Sequence, residues 1–405
     1  MHYYITSLHY KNNLIELSET SKKHLIVTGR NGAGKTSLLK SIRNQLNEME
    51  SYSSNFKKNE KYSELIEHLA GLSDTNPQNK ALWDNLIGLL INGQMTTTSK
   101  MKRFLTLDFN VPMEDMLKKR ILNNGFVLAF FDSKRTFSFE APQGITVNEK
   151  KRFSMSEKAS THFIRYLVNL KAERAFAYQE GNMDVVQSID IWFSNFEDNL
   201  RELFETDILE LKFDRHNLAF KVILENKTMD LLHLSDGFSS IIYIISEIIM
   251  RMKNKRKHKA EGIVIIDEIE THLHVSLQKK ILRFLENFFP NIQFIVSTHS
   301  PFILSSLSNA IVYDLETQQR IEDMSGFSYD SIVENYFNTD QYSDLIKLRM
   351  DEYLHLLNSP TPLTESQETY LTELTNYFKQ IPDESAPELK YKFYESTSLR
   401  KSDRN

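Results

Sequence analysis

Hydrophobic and polar positions change period several times along this chain. Residues 3–10 (YYITSLHY) and 14–18 (LIELS) pattern as a short strand pair, and HLIVT at 24–28 is a compact apolar β-run. After a glycine-rich stretch the period changes to helical, with Leu38, Leu39, Ile42 and Leu46 on one face. The local order is strand, loop, helix. Residues 50–80 are polar, with SELIEHL as a short helical segment, and ALWDNLIGLLI at 81–91 reads as a further helix; a helical insert is expected over residues 50–100. RFLTLDF (103–109) and FVLAFF (126–131) are strand-like, with a helix expected at 112–123 between them.

From residue 158 to 205 the apolar positions recur at helical spacing, from Phe163 and Leu167 to Leu200 and Leu203. Gly181 and Asn182 divide this stretch into two helices, an αα-hairpin or arm, with an ordinary helical subdomain as the alternative. DILELKF (207–213) and AFKVIL (219–224) alternate as a hairpin, and LHLSDGFSS leads into a long apolar helix ending at 252. GIVIID (262–267) is apolar without alternation, as a parallel strand buried on both faces would be. A helix at 275–289, a strand at 293–298, a helix at 301–307 and a strand at 310–315 follow. Strands alternating with helices imply an α/β fold with a mostly parallel sheet. Beyond 327 the pattern is helical, and the last dozen residues are polar and expected to be loose. The division expected is 1–157 and 207–320 as two halves of one α/β head, 158–206 as the helical hairpin, and 321–405 as a helical extension.

Composition narrows the chemistry. The chain has 405 residues and a net charge of −5, so it is not a basic nucleic-acid coat, although a local patch is left open. It has no cysteine, which removes disulfide frameworks, Cys-ligated zinc and thiol nucleophiles together. The N-terminal segment lacks the pattern of a secretory signal, and SIIYIISEIIM at 240–250 is interrupted by Ser and Glu and is shorter than the roughly 20 residues of a spanning helix. A soluble, cytoplasmic protein is expected. Glycine is scarce, 12 in the whole chain, yet three of the twelve fall within residues 29–36.

Those three belong to GRNGAGKT (29–36), a complete G-x-x-x-x-G-K-T phosphate-loop pattern in its confirming context, after a β-run and before a helix. Gly29, Arg30, Asn31, Gly32, Ala33, Gly34, Lys35, Thr36 and Ser37 are the candidate nucleotide-binding residues. The glycines let backbone amides turn inward around an anion, and the helix N-terminus adds its dipole. Lys35 would reach the β- and γ-phosphates, and the Thr36 hydroxyl would bind Mg²⁺. Asp267 and Glu268 end the most apolar strand, where such sheets bring an acid beside the phosphate loop. Asp267 is the second metal candidate, and Glu268 is expected to orient and polarise the attacking water. His299 ends the next strand (VSTHS) and could sense the γ-phosphate. Ser235 and Gly237, in LSDGFSS, lie at a second helix N-terminus able to meet an anion, with an ordinary Ser cap as the alternative.

The order of phosphate loop, L-S-x-G segment, acidic pair and histidine, with DEIETHLH after the acidic strand, resembles the ABC-type ATPase heads of the RecF, SMC and OLD group, including stand-alone AAA-type ATPases of bacterial anti-phage systems such as Septu, PARIS and retrons. The resemblance covers residues 1–45 and 205–320. Phe238 departs from it, since a polar residue usually follows the glycine of the signature. FFDSKR (130–135) resembles a strand-end segment of the defence ATPases and makes Arg135 a further site candidate; Gln143 is the nearest candidate for the glutamine loop. The resemblance implies a homodimer or higher homo-oligomer, with ATP and Mg²⁺ held between one subunit's phosphate loop and the other's Ser235 and Gly237. Catalytic roles then fall to Lys35, Glu268 and His299. It also implies a separate effector partner, a nuclease or a toxin, because residues 321–405 contain no Asp-x-Asp pair and the chain no His-Asn-His nuclease pattern.

Weaker features remain. Glu270, His272 and His274 could suggest a metal, but the resemblance makes them a dimer-facing loop. RMKNKRKHK (251–259) carries six Lys or Arg in nine residues, a solvated loop or a contact to a phosphate backbone. A DNA-repair or chromosome-maintenance ATPase that binds nucleic acid directly, and an ATP-bound scaffold with negligible turnover, stay open beside the defence ATPase. No membrane association is expected.

Overall fold

The computed structural model describes residues 3–58, 105–111, 126–135, 139–142, 144–145, 153–232, 234–252, 260–336 and 342–402. The chain divides into two compact units, Met1–Phe327 and Ser328–Asn405.

The first unit opens with β1 (Ile5–Tyr10), β2 (Asn13–Glu16) and β3 (His24–Thr28), followed by helix α1 (Lys35–Lys58). Strands β4 (Leu105–Phe109) and β5 (Phe126–Phe131) come next. Helices α2 (Phe163–Gln179) and α3 (Met183–Phe204) form a hairpin that turns at Gly181. Then come β6 (Leu209–Asp214), β7 (Ala219–Leu224) and β8 (Lys227–Asp230), helix α4 (Asp236–Arg251) and strand β9 (Glu261–Ile266). The unit continues through α5 (Val275–Gln278), α6 (Ile281–Phe288), β10 (Ile292–Ser297), α7 (Pro301–Leu304), β11 (Ala310–Asp314) and β12 (Arg320–Glu322).

The central sheet has the order β12-β11-β3-β10-β9-β5. Its four pairings from β11 to β5 are parallel and only the β12 edge is antiparallel. Strands β3, β9 and β10 are buried along nearly their whole length because helices or a second sheet cover both faces, which is why they read as unbroken apolar runs. On one face lies α1, whose Leu38, Leu39, Ile42 and Leu46 are fully buried against Leu25, Val27, Ile263, Ile265 and Ile295. The antiparallel sheet β2-β1-β4 closes the same core through Ile5, Leu8, Ile15, Leu105 and Leu107, so α1 is wedged between two sheets. Helix α4 packs on β5 and is buried nearly all round, which explains its apolar composition. Its Glu247 and Arg251, an ion pair at 2.5 Å, are tolerated inside because every side is bonded. Glu247 accepts from the Ala159 and Ser160 amides, and Arg251 donates to the carbonyls of Phe153, Ser154 and Glu157. This pair fixes the segment that leads into α2 against α4.

The helical hairpin is rooted in an aromatic core. Trp192 stacks on Phe196 at 5.3 Å, Phe193 on Phe220 of β7 at 6.1 Å, and Phe288 of α6 meets Phe196 edge-on. The antiparallel sheet β6-β7-β8 contains the expected hairpin and one strand more.

The second unit holds helices α8 (Asp344–Leu357), α9 (Glu365–Gln380) and α10 (Pro387–Ser402) around Tyr353, Phe378 and Phe393. Thr364 and Gln367 form a capping box at the start of α9.

Three expectations need correction, and two short strands carry no signal in the pattern. The last dozen residues are not loose as a whole: α10 runs to Ser402, anchored by the buried Phe393. The helix expected at 275–289 is two, broken after Gln278, because Lys279 and Lys280 turn away before the apolar face of α6 begins. The helix expected at 301–307 ends at Leu304. Strands β8 and β12 are too short and polar to carry a period-2 signal. The helices expected at 81–91 and 112–123, SELIEHL, Gln143 and basic residues 253–259 lie outside the described residues.

Candidate functional site

The site is built at the C-terminal edge of the parallel strands. Strands β3 and β9 flank β10, so their ends lie about 10 Å apart, a gap that one loop and a helix turn can span. The phosphate loop leaves β3 with Gly29, Gly32 and Gly34 at φ +128°, +87° and +100°. Nothing lies within 4 Å of a Cβ placed at Gly32 or Gly34, so it is the backbone angle, not crowding, that requires glycine there. Arg30 and Asn31 are exposed at the rim, and Ser37 is exposed on the first turn of α1. The Lys35 ammonium is folded back on the loop, donating to the carbonyls of Gly29 at 2.7 Å and Arg30 at 3.1 Å. Burial pulls its pKa down, while Glu268, Glu270, Asp267 and Asp314 push it back up.

Thr36 and Asp267 meet although 231 positions apart: Thr36 Oγ1 donates to Asp267 Oδ2 at 2.8 Å. The other Asp267 oxygen accepts from Ser297 Oγ at 2.5 Å, and the same hydroxyl accepts from the Glu268 amide at 2.8 Å. Asp267 is fully buried, and two hydroxyl partners compensate a carboxylate that would otherwise be costly there. Glu268 takes a left-handed backbone at φ +48°, uncommon for a residue with a Cβ, and this turn ends the strand. Glu270 accepts from the His299 amide at 2.6 Å through Oε1, while its Oε2 is buried and has no partner among the described residues. His299 is half-buried at the end of β10. Its pKa is lowered, first by burial and then by Lys35, with the surrounding carboxylates opposing.

The signature segment is different in character. Ser235 is the N-cap of α4 in extended conformation, is exposed, and makes no capping bond with its side chain. Gly237 faces the loop after Glu268: a Cβ there would sit 3.1 Å from the His272 carbonyl, so close approach favours glycine. Phe238 is buried and stacks on Phe204 of α3 at 4.2 Å, a contact that adds about 1 kcal/mol to simple burial. The departure at this position thus faces the helical hairpin rather than solvent. His272 and His274 lie in the loop beyond, where the His274 ring accepts weakly from the Ser276 amide at the start of α5.

Arg135 follows β5 and is buried, donating to Ser240 of α4 and to the main chain of Asp267 and Glu268. Sequence reasoning passed over Ser297 and Ser240, and named Glu270 only beside His272 and His274 as a metal suggestion. Ser297 lay inside a quoted motif, but a serine ending a strand carries no signal of its own. Glu270 and Ser240 likewise gain their roles from what the fold packs against them.

The residues present fit a nucleoside triphosphate with a divalent cation. The concave loop offers amides and an ammonium, and the Thr36 hydroxyl and Asp267 carboxylate are neighbouring hard oxygen donors suited to Mg²⁺. Fold and site together define the class: the chain carries an ABC-like P-loop ATPase domain. Comparison with known sequences agrees. A family model described as "AAA domain, putative AbiEii toxin, Type IV TA system" matches residues 118–305. The chain is similar to Septu protein PtuA of Bacillus mycoides (strain KBAB4), 32% identical over 217 residues, covering 50% of this chain and 30% of that protein. It is similar to "Retron Ec83 probable ATPase" of Escherichia coli, 31% identical over 194 residues, covering 44% of this chain and 35% of that protein. Among solved structures, an SMC head bound to the C-winged helix domain of ScpA aligns with a TM-score of 0.37 at 13% identity, covering 77% of this chain and 94% of that one. The chain spans about a third of the length of the curated relatives it matches. No helix among the described residues is long and apolar enough to cross a membrane.

Proposed function

We propose that this chain is an Mg²⁺-dependent ATPase that works as a dimerising switch, the ATPase subunit of an anti-phage defence complex that controls a separate effector. The observation that carries the ATPase reading is the Thr36–Asp267 contact, which brings the phosphate loop and the acidic strand end into one site. The defence role rests on the likeness to the Septu and retron proteins.

In the proposed reaction Lys35 leaves the Gly29 and Arg30 carbonyls for the β- and γ-phosphates, exchanging two neutral acceptors for charged ones. Thr36 and Asp267 would hold Mg²⁺, whose charge would offset the negative charge that develops on the phosphate. Ser297 keeps Asp267 and the Glu268 amide in register, so the Glu268 carboxylate, half-exposed at the site, orients and polarises the attacking water. His299, neutral and held by Glu270 through its amide, is placed to donate to the γ-phosphate. Ser235 and Gly237 of a second copy complete the phosphate environment from outside. The exposed Ser235 hydroxyl at the N-terminus of α4 supports this reading, since among the described residues it makes no capping bond.

Mixing two inactive variants tests the shared site. Lys35→Ala disables the phosphate loop and Ser235→Arg blocks the signature. Each alone is expected to be inert, and a mixture of the two should regain hydrolysis, because one site per mixed dimer is intact. A mixture as inert as its parts refutes the trans arrangement.

A further inference from the structure

Arg135 belongs to no part of the phosphate-binding machinery, yet it is 6% exposed and donates to two separate elements at once. Its Nη1 reaches Ser240 Oγ at 2.9 Å, on the second turn of α4. Its Nη2 reaches the carbonyl oxygens of Asp267 at 3.1 Å and Glu268 at 2.6 Å. Helix α4 begins at Ser235 and Gly237, so a single planar guanidinium joins the signature helix to the main chain of both acids. Burial lowers its pKa to about 10, with Glu270 the chief opposing charge, and it stays cationic at neutral pH. Its Nε is buried without a partner among the described residues, so the side chain is held here at a cost in desolvation.

The other end of the link explains what that cost supports. Glu268 is held in its left-handed conformation by three bonds: its amide donates to Ser297 Oγ, and its carbonyl accepts from Arg135 and from the Thr271 amide. Strained backbone at a site persists only where surrounding bonds over-determine it. Two of the three bonds come from the strand end and its own turn; the Arg135 bond alone ties Glu268 to the signature helix.

We propose that Arg135 is a positioning residue that couples α4 to Glu268 within one subunit, so that a nucleotide engaged by Ser235 and Gly237 from another copy sets the hydrolytic geometry of this copy's own site. The proposal rests on the trans-site reading above. It makes the two sites of a dimer interdependent through a path of named bonds: signature, α4, Ser240, Arg135, Glu268. Lysine cannot replace it fully, because a point charge on a flexible stem cannot bridge a hydroxyl and two carbonyls as a fork does.

The test uses the full chain with Ser240→Ala, Arg135→Lys and Arg135→Gln. ATP-driven dimerisation is followed by light scattering, nucleotide affinity by a fluorescent ATP analogue, and hydrolysis over a range of ATP concentrations. In the unmodified protein ATP should drive dimerisation and the Hill coefficient should exceed one. Ser240→Ala removes only the link to α4, and it should bring the Hill coefficient toward one while dimerisation and nucleotide affinity are kept. Arg135→Gln should lower kcat by about 100-fold with KM retained, as a misplaced catalytic group does, and Arg135→Lys should recover part of that loss. Thermal unfolding of each variant identifies misfolding, and Ser240→Ala, which loses one hydroxyl, keeps the proposal testable if Arg135→Gln does not fold. An unmodified chain that never dimerises with ATP overturns the trans-site reading and this coupling with it. Dimerisation with a Hill coefficient unchanged in Ser240→Ala, or an Arg135→Gln variant that loses ATP affinity as steeply as kcat, overturns the coupling alone.

Discussion

The phosphate-loop face and the signature face of this domain are both built on helix N-termini, yet they are finished to different degrees. At the first, the side chains that join the loop to the strand ends are already tied within the chain: Lys35 on loop carbonyls, Thr36 and Ser297 on Asp267, the Glu268 amide on Ser297. At the second, Ser235 caps α4 without a side-chain bond and stands exposed. The first is a network in which Asp267, Thr36 and Ser297 are held in register across the loop and two strand ends. The second leaves a hydroxyl at a helix N-terminus facing outward, without a capping bond among the described residues. Preorganisation on one face and unused donors on the other suit a nucleotide held by one copy and completed by another.

The sharpest way to break this contrast is Glu268→Gln. If Glu268 polarises water in a preformed network, kcat should fall by about 1,000-fold, about 4 kcal/mol, with ATP affinity kept; steady-state hydrolysis and equilibrium binding measure the two separately. Lys35→Ala should act on binding instead, weakening ATP by about 3 kcal/mol through the loss of charge-assisted bonds, a change that titration calorimetry reads directly. Ser235→Ala sharpens the other side. It should leave the affinity of a single subunit for ATP unchanged and reduce turnover by about 1 kcal/mol, the worth of one hydrogen bond. An equal loss of affinity would place Ser235 in the same network as Lys35 and dissolve the contrast.

The smallest effect concerns His299. Burial and Lys35 lower its pKa below the ordinary 6.5, so the folded chain without nucleotide binds fewer protons there than the unfolded chain. The sign follows: this residue's contribution to stability is complete above pH 6.5 and declines as the pH falls below it. A proton NMR titration of the His299 ring should show a midpoint under 6.5 that moves upward when ATP brings negative charge beside it. A midpoint indifferent to ATP would remove His299 from the phosphate environment.

Much of the site was legible because its motifs carry their own local geometry. GRNGAGKT announces positive backbone angles through its glycines, and GIVIIDE announces a buried strand ending in acid. Arg135 was legible only as a resemblance, since an arginine in a polar strand-end loop has no local pattern. The Phe238 departure could not be interpreted from sequence at all; its reason is Phe204, 34 positions earlier, stacked on it by the packing of α3 against α4. The break between α5 and α6 and the continuation of α10 were missed for the same kind of reason, since tertiary packing overrides a weak local period.

By itself, then, the sequence determined the alternation of elements, the phosphate loop, the acidic strand end and the helical second unit, all of which depend on residues within a few positions of one another. The tertiary structure decided what required distant segments to meet. It set Thr36 against Asp267, put Ser297 between the two acids, buried Arg135 where it reaches α4, and left Ser235 facing outward. The physical reason is the order of strands in the sheet. Only when β3, β10 and β9 lie side by side do their C-terminal ends share an edge, and no local preference of any one strand specifies that order.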